Sequence, residues 1–201
     1  MTVLSKFYGG VMQEPMYRYC YYTLDNNKII EAIGYDELLT GTGSAINNYN
    51  CLSDFMDSLQ PIPTDIIEIG TFMGLGSALL ASYSRTVFTF DVCYRNSHPL
   101  WVLLCVDDRI NCYTGDQGFI DTVITAIKNN VKLTFDFAFI DGMHKVENVR
   151  HDFENVKFCG RVLFHDVNIP EIADFVIGEL GGKIINADTD EPAKFGYWEA
   201  K

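Results

Sequence analysis

Residues 66–81, IIEIGTFMGLGSALLA, put an apolar β-stretch, a glycine turn and a helix start into one unbroken run. Such a run has to bury its strand in a sheet and lay its helix back across it. Glu68 sits in the strand, and Gly70, Gly74 and Gly76 mark the junction. The helix that follows turns free backbone N–H groups and the positive end of its dipole toward whatever lies above the sheet. Glycines let a ligand approach that backbone closely. The run therefore reads as a cofactor site of the nucleotide type, and the cofactor is decided by glycine spacing and by acids further along the chain.

From residue 65 onward, strand-like and helix-like segments alternate, the pattern of a parallel sheet covered by helices on both faces. Strands are expected at 65–70, 86–92, 109–114, 135–141 and 161–165, each almost continuously apolar, as a strand buried on both sides should be. Ile120, Val123, Ile124 and Ile127 fall on one face of a helix after the third strand. Val146, Val149, Phe153 and Val156 do so after the fourth, and Ile172, Phe175, Val176 and Leu180 after the fifth, before a stop at Gly181 and Gly182. The pattern then breaks: 183–187 and 195–199 look like two strands joined by a turn-rich segment, a terminal hairpin. The expected fold is α/β, a Rossmann-like, seven-stranded, mostly parallel sheet with an antiparallel C-terminal strand.

A chain of 201 residues is enough for one such domain. Residues 61–201 form the cofactor-binding core. Residues 1–60 supply an N-terminal segment and a helix that Ser44 would cap, running to about residue 59 ahead of Pro61 and Pro63. The first 43 residues hold six of the eleven tyrosines, Tyr8, Tyr17, Tyr19, Tyr21, Tyr22 and Tyr35. They read either as a packed cover or subunit contact in a homo-oligomer, or as a lid lending aromatic walls to a substrate.

With 27 acidic and 15 basic residues the net charge is −12, which opposes binding to a phosphate backbone, and no basic patch compensates. No nucleic-acid partner is expected. No apolar run nears the roughly 18–20 residues of a membrane span, and no cationic, apolar leader is read, so no membrane partner is expected either. The six cysteines, Cys20, Cys51, Cys93, Cys105, Cys112 and Cys159, form no C-x-x-C pair and read as free thiols in a cytoplasmic protein. Cys93, just past a strand end, is either a reactive thiol or, as the more ordinary reading, a small buried hydrophobe.

The glycine spacing, Gly70-x-x-x-Gly74-x-Gly76, lacks the G-x-G-x-x-G that grips a dinucleotide pyrophosphate and the G-K-[ST] of a P-loop. A looser turn behind an acid suits a cofactor with an amino-acid tail and no phosphates. Glu68 either fixes the turn or binds an ammonium group, while the turn's N–H groups face a carboxylate. S-adenosylmethionine fits that description. Asp91 closes the second strand about twenty residues on, where an acid accepts the hydroxyls of a cofactor ribose. Asp116, in YTGDQ after the third strand, either lies beside the adenine amino group or caps the helix beginning near Phe119, and the two roles are compatible.

Together, IIEIGTFMGLGSALLA, FTFDV, YTGDQ, FDFAFIDGMH and GRVLFHDVN resemble the class I S-adenosylmethionine-dependent methyltransferases over residues 65–201. The E-I-G-T-x-x-G turn and F-I-D-G-x-H segment are similar to the small-molecule O-methyltransferases of the catechol and antibiotic-sugar types. The resemblance implies cofactor-binding roles for Glu68, Gly70, Thr71, Gly74, Gly76, Ser77, Asp91, Asp116, Gln117 and Asp141. It also implies a terminal antiparallel strand and a small-molecule acceptor, a sugar or phenol hydroxyl.

In metal-dependent members of that family, the aspartate closing the fourth strand and one after the fifth hold Mg²⁺, with an Asn or second acid directly beside the latter. Asp141 and Asp166 match as metal ligands. The third does not: Val167 follows Asp166, Asn168 comes one place late, and His165 precedes it. Oxygen donors suit Mg²⁺, and an adjacent imidazole moves preference toward a transition metal. His144, in Asp141-Gly142-Met143-His144, is the candidate general base, Mg²⁺ the alternative means of activating the hydroxyl, and packing of the following helix its non-catalytic role. His151 is expected in solvent. Asp141, His144, His165 and Asp166 are expected to cluster at the strand ends. Two other functions stay open: a cofactor-binding module without turnover, and a nicotinamide-dependent oxidoreductase.

Overall fold

The five apolar runs form parallel strands, each within one residue of its predicted limits: β1 (Asp65–Ile69), β2 (Thr86–Asp91), β3 (Ile110–Thr114), β4 (Phe135–Ile140) and β5 (Arg161–Phe164). The computed structural model describes residues 43–93, 101–102, 106–130, 133–187 and 194–201. The expectations for residues 1–42, Cys105 and the hairpin turn at 188–193 lie outside the described residues. Between and before the strands run α1 (Gly43–Ser58), α2 (Leu75–Tyr83), α3 (Gln117–Lys128) and α4 (Val146–Val156). The helix α1 begins one residue ahead of Ser44, so that serine lies inside it.

After β5 comes α5 (Pro170–Ala173), which continues as a π-helical stretch, Asp174–Glu179. Its wider turn shows in the bond from Leu180 N–H to Phe175 O, five residues back, and Gly182 N–H then closes the end on Val176 O. Gly182 is required for packing: a Cβ there would lie 2.8 Å from Val176 O and 2.9 Å from Tyr197 O. The chain ends in the expected hairpin, β6 (Lys183–Ile184) and β7 (Gly196–Glu199), shorter than predicted.

The seven strands order as β3-β2-β1-β4-β5-β7-β6. Pairing is parallel from β3 through β5 and antiparallel between β5 and β7 and between β7 and β6. The chain moves outward from β1 to β3 and then restarts on β1's other side with β4. The β1/β4 boundary is therefore the switch point, and the crevice beyond its carboxyl ends is where open α/β sheets bind ligands.

Period-2 alternation divides the apolar side chains between two layers. Ile66, Phe137, Phe139 and Leu163 pack with Leu52, Met56 and Leu79 on one face. Their neighbours Ile67, Ala138, Ile140, Val162 and Phe164 pack with Ile124, Phe153 and Val176 on the other. Both layers are needed, and so all five residues of β1 are buried. At the amino end, Asp65 is fully buried, pairs with Arg85 at 2.5 Å and accepts the Thr134 N–H at 3.1 Å. That anchors the end of the sheet opposite the crevice.

Candidate functional site

The glycine turn after β1 is held by backbone bonds to both neighbouring strands. Gly70 N–H donates to Phe90 O at 2.8 Å, and Asp141 N–H donates to Ile69 O at 2.8 Å. Gly70 has φ +102°, and a Cβ there would sit 2.0 Å from Asp141 O, so no side chain is compatible with the β1/β4 approach. Gly74, at φ +79°, is the N-cap of α2, and among the described residues no side chain caps that helix. Its N-terminus is left to an outside acceptor. Gly76 and Ser77 lie within the first turn and are buried.

Glu68, Thr71 and Ser77 meet beneath the turn. Ser77 Oγ donates to the Glu68 carboxyl, and the Thr71 and Thr89 hydroxyls lie 2.6 Å apart. Glu68 is 1% exposed. Burial, opposed by hydrogen bonds from Ser77 and Thr89, pushes its pKa up to about 8. The hydrogen bond from Ser77 serves the first of its two expected roles, fixing the turn.

Asp91 ties two loops together. Its Oδ2 accepts the Phe72 N–H and its Oδ1 the Cys93 N–H, both at 2.8 Å. A carboxylate oxygen has more than one acceptor site. Gly115 N–H donates to Asp91 O at 3.2 Å, bringing the β3 loop alongside. There Asp116 caps α3, accepting the Phe119 N–H at 2.9 Å, and Gln117 Nε2 donates to Asp121 Oδ1 at 3.0 Å. Cys93 is exposed rather than buried, which corrects the more ordinary reading of that thiol.

The sequence did not reveal an apolar rim along the same edge. Phe72, Val92, Phe119 and Met143 follow the carboxyl ends of β1, β2, β3 and β4 and are 44–54% exposed. Phe72 also holds a left-handed conformation, φ +44°, costly for a bulky residue. Large exposed hydrophobics on four successive loops, interleaved with Asp91 and Asp116, suit a flat heteroaromatic ring with polar edges.

Across the crevice, the expected cluster forms. His144 Nδ1 lies 2.5 Å from Asp166 Oδ2. His165 Nδ1 lies 2.9 Å from Asp141 Oδ1 and 3.1 Å from the same Asp166 oxygen. The His165 backbone N–H bonds Ile140 O at 3.0 Å, and its ring packs edge-on to Phe195 at 5.0 Å. Although close to both carboxylates, the buried His165 Nδ1 is aligned for a hydrogen bond with neither. Asp166 adopts φ +55°, a left-handed conformation that aspartate enters more readily than most residues.

The electrostatics follow from this crowding. Burial disfavours charge on His165, but Asp141 and Asp166 outweigh it and push its pKa up to about 10. For Asp166 burial is likewise the largest influence and favours the neutral acid, yet the His144 and His165 rings beside it hold it well below the usual carboxylate range. The hydrogen bond to Asp166 raises the pKa of His144, which stays half-exposed. His151 is exposed as expected and pairs with Asp121 at 3.0 Å. Trp101, beyond β2, is 5% exposed and donates its indole N–H to Gly74 O.

Solved structures with this architecture include an O-methyltransferase from Bacillus cereus in complex with S-adenosylhomocysteine. It has 18% identity and a TM-score of 0.64, and the match covers 92% of this chain and 96% of that one. The chain has the fold of an O-methyltransferase. TomG, an O-methyltransferase from Streptomyces achromogenes involved in tomaymycin synthesis and solved with S-adenosylmethionine, shares the methyltransferase fold at 13% identity. Its TM-score is 0.57, with 98% of this chain and 94% of TomG covered. No protein-family model and no curated protein matches the sequence. Among the described residues, no helix is long and apolar enough to cross a membrane.

Proposed function

We propose that the protein transfers the methyl group of S-adenosylmethionine to a hydroxyl of a small molecule, of the sugar or phenol type. The observation that carries this reading is the shared edge. The glycine turn after β1, Asp91 after β2, and the His144–Asp166 pair after β4 and β5 all stand at the carboxyl ends of parallel strands around the β1/β4 crevice. The methionine carboxylate belongs at the uncapped N-terminus of α2, the ribose hydroxyls at Asp91, and the adenine among Val92, Phe119 and Met143 beside Asp116 and Gln117.

The cofactor supplies a methyl group on a sulfonium, already an excellent leaving group, so the protein's task is to align and deprotonate the acceptor. The methyl–sulfur bond breaks as the methyl–oxygen bond forms, and the hydroxyl proton goes to His144. Nδ1 of that ring faces Asp166, so Nε2 is the nitrogen that takes the proton, and the carboxylate holds the ring in place. Asp141 and Asp166, with the unpartnered Nδ1 of His165 between them, also fit a divalent cation. A cation held there supplies Lewis acidity toward the acceptor oxygen.

Incubation with methyl-labelled S-adenosylmethionine and a panel of sugar and phenol acceptors tests the reading. S-adenosylhomocysteine and a labelled methyl ether should form together. His144→Ala should lower kcat by about 10²- to 10⁴-fold while cofactor affinity is kept. Cofactor binding without methylated product from any acceptor would instead favour a binding module.

A further inference from the structure

The cation site just described holds, at its third position, a donor that changes which metal it selects. Two aspartates alone present hard oxygens, for which Mg²⁺ is the ordinary occupant. Here the ring nitrogen of His165 lies between them, 2.9 Å from Asp141 Oδ1 and 3.1 Å from Asp166 Oδ2. Adjacent ligands of a six-coordinate ion with bonds of about 2.1 Å are separated by √2 times that length, about 3.0 Å. A tetrahedral site with the same bonds spaces its ligands at about 3.4 Å. Both observed spacings fall at the octahedral edge, a range that direct N–H···O contacts also occupy.

Three further features hold His165 in place as a ligand. Its backbone N–H is fixed to Ile140 O, its ring is fixed edge-on against Phe195, and its Nδ1 is buried without a hydrogen-bond partner. Asp166 takes a left-handed backbone conformation, and its Oδ2 lies 3.1 Å from the same ring nitrogen. His144 reaches the shared Asp166 oxygen from the half-exposed side, where it orients the carboxylate from outside the ligand set.

We propose that Asp141, His165 and Asp166 form a mixed nitrogen–oxygen site for a six-coordinate divalent transition-metal ion of the Mn²⁺ or Fe²⁺ kind, selected over Mg²⁺ by the His165 imidazole. Imidazole suits first-row transition ions, whereas Mg²⁺ is held by oxygen donors and water. The proposal rests on the cation-binding part of the function above, and it is read out without cofactor, acceptor or turnover.

Chelator-treated full-length protein is titrated with MnCl₂ and, separately, MgCl₂ by calorimetry, and the bound Mn²⁺ is examined by electron spin-echo modulation. One Mn²⁺ per chain is expected, with ¹⁴N modulation from a directly bound imidazole. His144→Ala should keep that modulation. His165→Asn, its fold checked by circular dichroism, should lose it and weaken Mn²⁺ by about 10- to 100-fold while Mg²⁺ affinity is unchanged or improved. Absence of ¹⁴N modulation in the wild-type protein overturns the proposal without recourse to any variant, as does equal affinity for Mn²⁺ and Mg²⁺. Metal binding as expected without methyl transfer would sink the enzymatic reading and leave this one standing.

Discussion

The indole N–H of Trp101 donates to the backbone carbonyl of Gly74 at 2.9 Å, inside the protein. That carbonyl also accepts the Ala78 N–H at 3.0 Å, so it serves both the first bond of α2 and a clamp from beyond β2. The conformation of the cofactor turn is thus fixed by a residue well outside its motif. Trp101→Phe keeps an aromatic ring but removes the donor. It should cost about 1 kcal/mol in urea denaturation and weaken S-adenosylmethionine binding several-fold. Unchanged stability and affinity would show that the turn holds without the clamp.

Glu68 gives the fold a pH dependence of defined sign. Its pKa is raised from 4.5 to about 8 by burial, so between those values the folded state keeps a proton that the unfolded state has released. Stability from this group is full below pH 4.5, is lost as pH rises toward 8, and levels off above it. Glu68→Gln keeps the shape and removes the titration. Urea midpoints measured from pH 5 to 8.5 should fall more steeply for the wild-type protein than for the variant, and parallel lines would contradict the assignment.

Gly70 and Gly160 both have positive φ, but only one is also crowded. A Cβ at Gly70 would lie 2.0 Å from Asp141 O, whereas nothing lies within 4 Å of one at Gly160. Gly160→Ala should cost about 1–2 kcal/mol, the left-handed strain alone. Gly70→Ala should cost about 4 kcal/mol or more, since β1 and β4 have to part. Thermal melts of the two variants separate these effects, and equal losses would mean that the β1/β4 approach is not rigid.

The fold was legible because its signals are local and repeated. Ile66 and Ile67, or Phe137 and Ala138, show by alternation that both faces of the sheet are covered, and the absence of a helical segment between 183 and 199 announces the hairpin. Asp91, Asp116, Asp141 and Asp166 were legible because strand ends place them. Less of the site's detail was legible, for physical reasons. Trp101 faces inward because of a bond to a residue 27 positions away, which no periodicity encodes. Phe72, Val92, Phe119 and Met143 look like core residues by composition, and only the three-dimensional edge shows them exposed together. His165 was visible as a neighbour of Asp166, but its place between two carboxylates depends on the register of β4 and β5.

Asp91 is the residue proposed to receive the ribose of S-adenosylmethionine, and calorimetric titration reads that contact. Wild-type protein should bind S-adenosylmethionine and S-adenosylhomocysteine saturably, one per chain. Asp91→Ala, confirmed folded by circular dichroism because Asp91 also holds the Phe72 and Cys93 amides, should bind about 10- to 100-fold more weakly, the loss of hydrogen bonds to a charged acceptor. No saturable binding by the wild-type protein, or equal affinity in the folded variant, would contradict the account.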